Sequence, residues 1–352
     1  MRKDQPEELK FLIYISYSYS LPIGEPLEAE ILKRHSTIKW FADEPDGFQC
    51  LKNKKNVLQD IQEVVQYHPD IVLTITDNVP DFISGIKVQV FHGFNAEKRR
   101  FKRDHFRIRG FFDLYCTQGP STTSVFKKLQ KRCPHFEVIE TGWPKVDPLF
   151  PIEKTKHTKS RPTVFIASTF TQRLSLALRE DVFKEIQRLS QTGHFQFLMV
   201  VHPKIPLEVK EKWQQLTNKN FSFYDTTQLI PLFKKSDIMF SDTTSAIQEF
   251  ELQNKPVVTF NHFIPKPHLI NITEAAAIET ALRKAMQYPD KVMKELYKFN
   301  RQLHPYTDGK SSARVVDACI KFLNSDRSYL KKKPLNLIRK FKVRKKLNYW
   351  KL

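Results

Sequence analysis

The chain contains no stretch approaching the ~20 consecutive apolar residues that a bilayer-crossing helix needs, so no spanning segment is expected. Its four cysteines, Cys50, Cys116, Cys133 and Cys319, lie far apart and form no CxxC pair. That spacing argues against a disulfide framework or a cysteine zinc site, and reduced core thiols are expected instead. There is no internal repeat, no heptad and no low-complexity tract before the last residues, which argues against solenoids and coiled coils. A zinc-finger spacing and an RNP-like aromatic strand are missing too, and the basic residues concentrate in two blocks. Nucleic-acid binding is therefore not expected. The first residues carry acids before their apolar run and offer no small-residue cleavage site after it. "FLIYISYSY" accordingly reads as a first core strand and not a signal peptide.

What is present is enough for two ordinary domains. The 352 residues include 40% hydrophobic side chains and 28 Phe, which argues against global disorder. The net charge of +20 is uneven: the tail "KKKPLNLIRKFKVRKKLNYWKL" (331–352) holds ten Lys or Arg and no acid. A second basic run, "KRRFKRDHFRIR" (98–109), follows "FHGF". In the tail Leu337, Ile338, Phe341, Tyr349 and Trp350 are interspersed with the cations, a pattern suited to a phospholipid headgroup layer. Arg344 and Lys345 interrupt the stripe, so insertion should be shallow. A peripheral protein on the cytoplasmic face of the membrane is the expected location.

Short β runs alternate with helical segments throughout. "FLIYISYSY", the helical "EPLEAEILKR", "IKWFA", a helix near 55–67, "DIVLTIT" and "KVQVFHGF" have the rhythm of a parallel sheet with crossover helices. The polar "PIEKTKHTKSRP" (151–162) reads as a linker. A second series then runs through "TVFIAST", a helix near 179–190, "FQFLMVVHP", a helix near 227–235, "DIMFSD", a helix near 244–253 and "PVVTF", closing with "SSARVVDACIKFLN". This predicts α/β architecture with an N-terminal Rossmann-like domain over 1–150 and a nucleotide-donor domain over 163–325. A basic tail follows over 326–352, and the two doubly wound domains are expected to face a central cleft. Ligands of such sheets bind beyond the carboxyl ends of the strands.

Polar residues gather at those strand ends. His92 closes "KVQVFHGF" and His202 closes "FLMVVHP", and histidine is the usual acid or base near neutral pH. Asp242, Thr243, Thr244 and Ser245 end "DIMFSD" and open a helix. Helix starts attract anions through their N–H groups and dipole, and the hydroxyls add donors. Glu249, farther into the helix, is placed to accept hydrogen bonds from a ribose.

Four segments, "GWPKVDPLF", "VHPK", "LFKKSDIMFSDTTSAIQEFELQNKPVV" and "YTDGKSSARVVD", occur in an order that resembles the CDP-glycerol glycerophosphotransferases, which include the teichoic acid polymerases. The resemblance covers roughly residues 90 to 322 and implies a GT-B fold. It implies His92 as catalytic base and His202 as a second essential histidine beside the transferred phosphoryl group. It also implies Lys145, Asp242, Thr243, Thr244, Ser245, Ser312 and Arg314 as donor-binding residues. Phe91 stands where the family has Trp, Lys145 where it has Arg, Thr243–Thr244 where it has Tyr–Ser, and Glu249 where Asp is frequent.

The expected activity is transfer of glycerol phosphate, or a related polyol phosphate, from a CDP-linked donor to a hydroxyl of a lipid-linked or glycan acceptor, with release of CMP. The product would be a cell-surface polymer, teichoic acid or capsule-like. No metal and no cofactor beyond the donor substrate are expected, because fixed cations and dipoles can hold the diphosphate charge. The alternative on the same scaffold is a sugar-nucleotide glycosyltransferase or a relative of UDP-N-acetylglucosamine 2-epimerase, for which Glu249 is the best support.

Overall fold

The computed structural model describes residues 8–94, 105–152 and 161–350. Most of the basic run at 98–104 and most of the linker at 153–160 lie outside the described residues. The chain divides into two compact units. Unit 1 comprises residues 8–92, 105–150 and 303–350, and unit 2 comprises 93–94, 151–152 and 161–302.

Unit 1 is built on six parallel strands: β1 (Lys10–Ile15), β2 (Thr37–Ala42), β3 (Ile71–Thr74), β4 (Ile86–Val90), β5 (Leu114–Thr117) and β6 (Glu137–Glu140). Their order across the sheet is β2-β1-β3-β4-β5-β6. β3, β4 and β5 are buried along their whole length, as strands covered by helices on both faces must be, which is why they read as continuous apolar runs. The chain reverses direction across the sheet between β1 and β3, and such a switch point leaves a crevice at the carboxyl ends of the two strands. An aromatic cluster of Phe91, Tyr115, Phe126 and Phe136 packs one side of the sheet.

Unit 2 repeats the plan with β7 (Thr163–Ser168), β8 (Gln196–Val201), β9 (Phe221–Phe223), β10 (Ile238–Ser241), β11 (Val257–Phe260) and β12 (Leu269–Ile272). The order is β12-β11-β10-β7-β8-β9, again all parallel, with the switch between β7 and β10. Helix Glu180–Thr192 places Val182, Ile186 and Leu189 on the sheet at helical spacing and ends at Gly193 in the left-handed conformation. The helix expected near 244–253 is shorter, Ala246–Glu251.

The C-terminal segment departs from the domain boundaries read from the sequence. Helix Ser311–Leu323, assigned there to the second domain, belongs to unit 1. The cause is local. The Asp147 carboxylate accepts the N–H groups of Ser311 (2.8 Å) and Ser312 (2.7 Å) at the helix start, and Arg34 reaches Asp317 and the carbonyl of Ala313 farther along. The basic tail is likewise folded against unit 1. Its helix Leu337–Lys346 turns Val343 inward, followed by Leu347 and Tyr349, and Tyr349 stacks on Phe82 at 4.2 Å. Arg344, which seemed to interrupt an apolar stripe, lies on the inner side and pairs with Asp81 at 3.3 Å.

Candidate active site

In unit 2 the switch point is held by Asp242, the first residue after β10. It is fully buried, and its carboxylate accepts hydrogen bonds from Ser168 Oγ (2.7 Å), Thr169 N (3.0 Å) and Leu176 N (3.1 Å). Burial pushes its pKa up, and those donors oppose the rise. The sequence reading gave Asp242 to the donor phosphates, but its oxygens are occupied by the loop that leaves β7. The reason is geometric: strands that diverge at a switch point leave backbone donors unsatisfied, and a buried carboxylate can serve several at once. Asp242 is a positioning residue in this arrangement.

The neighbouring hydroxyls differ among themselves. Thr243 is buried, and its Oγ1 accepts the N–H of Phe263 at 3.1 Å. Thr244 and Ser245 are half-buried at the start of helix Ala246–Glu251, and Ser245 makes no side-chain cap bond there. Glu249 is buried and sits in the first turn of that helix.

His202 follows β8. Its main-chain N–H donates to Ser168 O at 3.1 Å, and its ring lies 4.4 Å from that of Phe170. Its Nδ1 accepts the N–H of Lys204 at 3.1 Å. With Nδ1 occupied as acceptor, the neutral ring carries its proton on Nε2. The loop 168–170 therefore links two of the sequence-predicted residues of unit 2: Asp242 accepts the amide of Thr169, and the His202 N–H donates to the carbonyl of Ser168. Phe170, 41% exposed beside His202, was missed because a lone aromatic after a strand carries no distinguishing signal.

In unit 1 His92 lies just beyond β4, next to the β1–β3 switch point. Its ring is 5.7 Å from that of Tyr19, which follows β1. Solvent reaches the ring, yet the crowding of protein around it lowers its pKa below the ordinary 6.5; Asp77 opposes this shift and Arg109 adds to it. Asp77 and Arg109 pair at 2.8 Å. Tyr19 is pushed up to about 12 by burial first and by Asp77 next. His105, stacked on Phe91 at 5.2 Å, is lowered to about 4 by burial and then by His92. His92 is thus largely neutral at pH 7 and able to accept a proton. Asp77 was overlooked although it too follows a strand end, and Arg109 was hidden inside a basic run.

The remaining predicted residues are also in unit 1. Lys145 is half-buried, with Nζ 5.4 Å from the Trp143 ring centre. Ser312 is buried and donates its hydroxyl to Asp147 at 2.7 Å. Arg314 lies 3.9 Å over Tyr306, pairs with Asp308 at 2.8 Å and donates Nε–H to Thr141 O at 2.8 Å. The structure groups Ser312 and Arg314 with the "GWPKVD" segment of unit 1. Gly142 makes that packing achievable: its φ is +81°, and a Cβ there would meet Ser311 Oγ at 2.5 Å. Among the described residues no cluster of three His, Cys, Asp or Glu is placed to hold a metal ion.

Comparison with known proteins gives a consistent placement. Over about 90% of both chains the fold is similar to the wall teichoic acid polymerase TagF (TM-score 0.66, 12% identity). It is similar also to a UDP-N-acetylglucosamine 2-epimerase structure from Listeria monocytogenes (TM-score 0.62, 14% identity, 91% of this chain and 98% of that one). These likenesses bear out the GT-B-like α/β fold class. A Clostridium acetobutylicum protein described as a UDP-N-acetylglucosamine 2-epimerase is 27% identical over 99 residues, an alignment spanning 27% of this chain and only 26% of that relative. The model of the CDP-glycerol:poly(glycerophosphate) glycerophosphotransferase family matches residues 85–321, two thirds of the sequence and both candidate histidines, and the chain belongs to that family.

Proposed function

We propose that the protein transfers glycerol phosphate, or a related polyol phosphate, from a CDP-linked donor to an acceptor hydroxyl during synthesis of a cell-surface polymer. The observation that carries this reading is His92. It follows β4 with its ring 5.7 Å from that of Tyr19 beyond β1, in a chain whose residues 85–321 match a glycerophosphotransferase family. His92 would take the hydroxyl proton of the acceptor. The freed oxygen would bond to the distal phosphorus as the bond from that phosphorus to the bridging oxygen breaks, and CMP would leave.

On this reading His202 donates its Nε2–H to the diphosphate, and the half-buried Thr244 and Ser245 add hydroxyl and amide donors. Lys145 and Arg314 supply fixed positive charge, and Glu249 takes the ribose hydroxyls. Phosphoryl transfer depends mainly on such positioning and charge stabilisation. A CDP-linked donor is supported by the family that the chain matches, and a structure of TagF soaked with CDPG is among the similar folds.

The second reading, a sugar-nucleotide-dependent enzyme of glycosyltransferase or epimerase type, draws on Glu249 and on the likeness to 2-epimerases. Incubating the protein with CDP-glycerol and a glycerol-phosphate oligomer separates the two. Release of CMP with elongation of the oligomer is expected. No CMP release, together with turnover of UDP-N-acetylglucosamine, would favour the second reading.

A further inference from the structure

The tail of unit 1 divides its residues between two faces. Val343, Leu347 and Tyr349 enter the core cluster of the unit, and four cations point the same way. Lys333 pairs with Asp113 (2.7 Å), Lys340 and Arg344 with Asp81 (3.7 and 3.3 Å), and Lys346 with both Asp43 and Glu44 (2.7 Å each). The opposite face has no such cover. Leu335, Leu337, Ile338, Phe341 and Trp350 are exposed by 75, 67, 75, 57 and 51%, and Trp350 leans on Phe341 at 5.4 Å. Around them Lys331, Lys332, Lys342 and Lys345 are exposed, and the segment contains no acid.

We propose that this outer face is a docking surface for an anionic phospholipid bilayer, with Leu337, Ile338, Phe341 and Trp350 inserting at headgroup depth and the surrounding lysines binding lipid phosphates. Contiguous exposed apolar side chains rimmed by polar ones mark a protein or membrane interaction surface. A cationic rim without acids selects an anionic partner, and an apolar centre selects one with a hydrocarbon layer. The helix is short, and its inner half is committed to unit 1, so it can enter only to the depth of one side-chain layer.

The docked tail also fixes what faces the bilayer. Asn336 donates to the carbonyl of Arg109 at 2.7 Å, and Arg109 pairs with Asp77 beside His92. Lys346 reaches Asp43, which accepts the hydroxyls of Tyr14 and Ser16 at the end of β1. The lipid-binding face is therefore fastened to the strand-end edge that carries His92, and bilayer binding would bring that edge to the membrane surface.

Deleting the tail would also remove Val343, Leu347 and Tyr349 from the core, so substitutions on the outer face are the cleaner test. Trp350 supplies a readout that needs no activity, because Trp40, Trp143 and Trp213 are all buried. The full chain, mixed with phosphatidylglycerol–phosphatidylcholine vesicles, should co-sediment with them, and the emission of Trp350 should shift to the blue. Pure phosphatidylcholine vesicles should do neither. Ile338→Ser with Phe341→Ser should abolish the shift with the melting temperature unchanged. Lys342→Glu with Lys345→Glu should weaken binding by about thirtyfold or more, from roughly fivefold per cation. Equal binding of the parent and the Ser variant overturns the proposal, as does equal binding to both vesicle types. A parent that ignores vesicles but binds duplex DNA, or that dimerises through this face, overturns it too.

Discussion

The indole N–H of Trp143 donates to the carbonyl oxygen of Phe91 at 2.6 Å, deep inside unit 1. Phe91 immediately precedes His92, so this bond fixes the backbone from which the candidate base projects. The main-chain N–H of Trp143 in turn donates to His304 Nε2 at 3.0 Å, which extends the support to the C-terminal segment.

Trp143→Phe removes the donor together with part of the buried ring. It should cost about 1–3 kcal/mol of stability, because a buried carbonyl loses its partner. If the bond also positions His92, kcat should fall by about ten- to a hundredfold. The donor KM should stay nearly constant, since transition-state geometry and not binding is lost. Steady-state kinetics on the folded variant decide the matter; an unchanged kcat would leave the bond a purely structural one.

Asp242→Ala should destabilise the ligand-free protein by about 3 kcal/mol or more, because three donors lose a buried charged acceptor at once. Asp242→Asn should cost less, since its oxygen still serves part of the set. Urea denaturation without nucleotide measures both. A variant of parental stability that nevertheless loses nucleotide affinity would show that Asp242 meets the donor directly.

Acid should weaken the fold through buried histidines. His105 and His304 are each lowered to about 4 from 6.5, chiefly by burial. Below pH 6.5 the unfolded chain takes up protons on these rings while the folded chain does not. Their stabilising contribution is present above pH 6.5 and declines as the pH falls toward 4.

Glu251 acts with the opposite sign. Burial raises its pKa well above 4.5, so the folded chain retains a proton that the unfolded one releases. Its contribution is lost as the pH rises above 4.5. Glu251→Gln mimics the protonated form. It should gain stability over the parent as pH rises from about 5 to about 7, by up to about 1.4 kcal/mol per unit. Urea midpoints across that range test this, and a parallel pH dependence of the two proteins would contradict it.

Much of the fold was legible because parallel strands covered on both sides must be apolar along their length. "FLIYI", "IVLT" and "VVTF" could hardly be anything else. The strand-end positions of His92, His202 and Asp242 followed directly. The partner of each end was not legible, since it depends on sheet order. Nothing local says that β10 lies next to β7, which is what brings Asp242 to Ser168. The return of helix Ser311–Leu323 to unit 1 depends on Asp147, 164 residues before Ser311. The docked tail escaped notice for the same reason, because its inward cations find Asp43, Asp81 and Asp113, all distant in sequence.

Glu249→Ala should raise the donor KM more than it lowers kcat, because ribose hydroxyls would lose an acceptor in ground and transition states alike. Initial rates at varied CDP-glycerol concentration separate the two effects. A fall confined to kcat would move Glu249 from ribose binding to the chemistry.

The central claim is that His92 removes the acceptor proton in transfer from a CDP-linked donor. The measurement that tests it most directly is CMP release by His92→Ala at saturating donor and acceptor, alongside the donor dissociation constant of the same protein. The account predicts that kcat falls by about 10²–10⁴-fold, the usual range for loss of general-base assistance, while the dissociation constant stays within about twofold. A folded His92→Ala protein that binds the donor normally and still releases CMP within about threefold of the parental rate would contradict it.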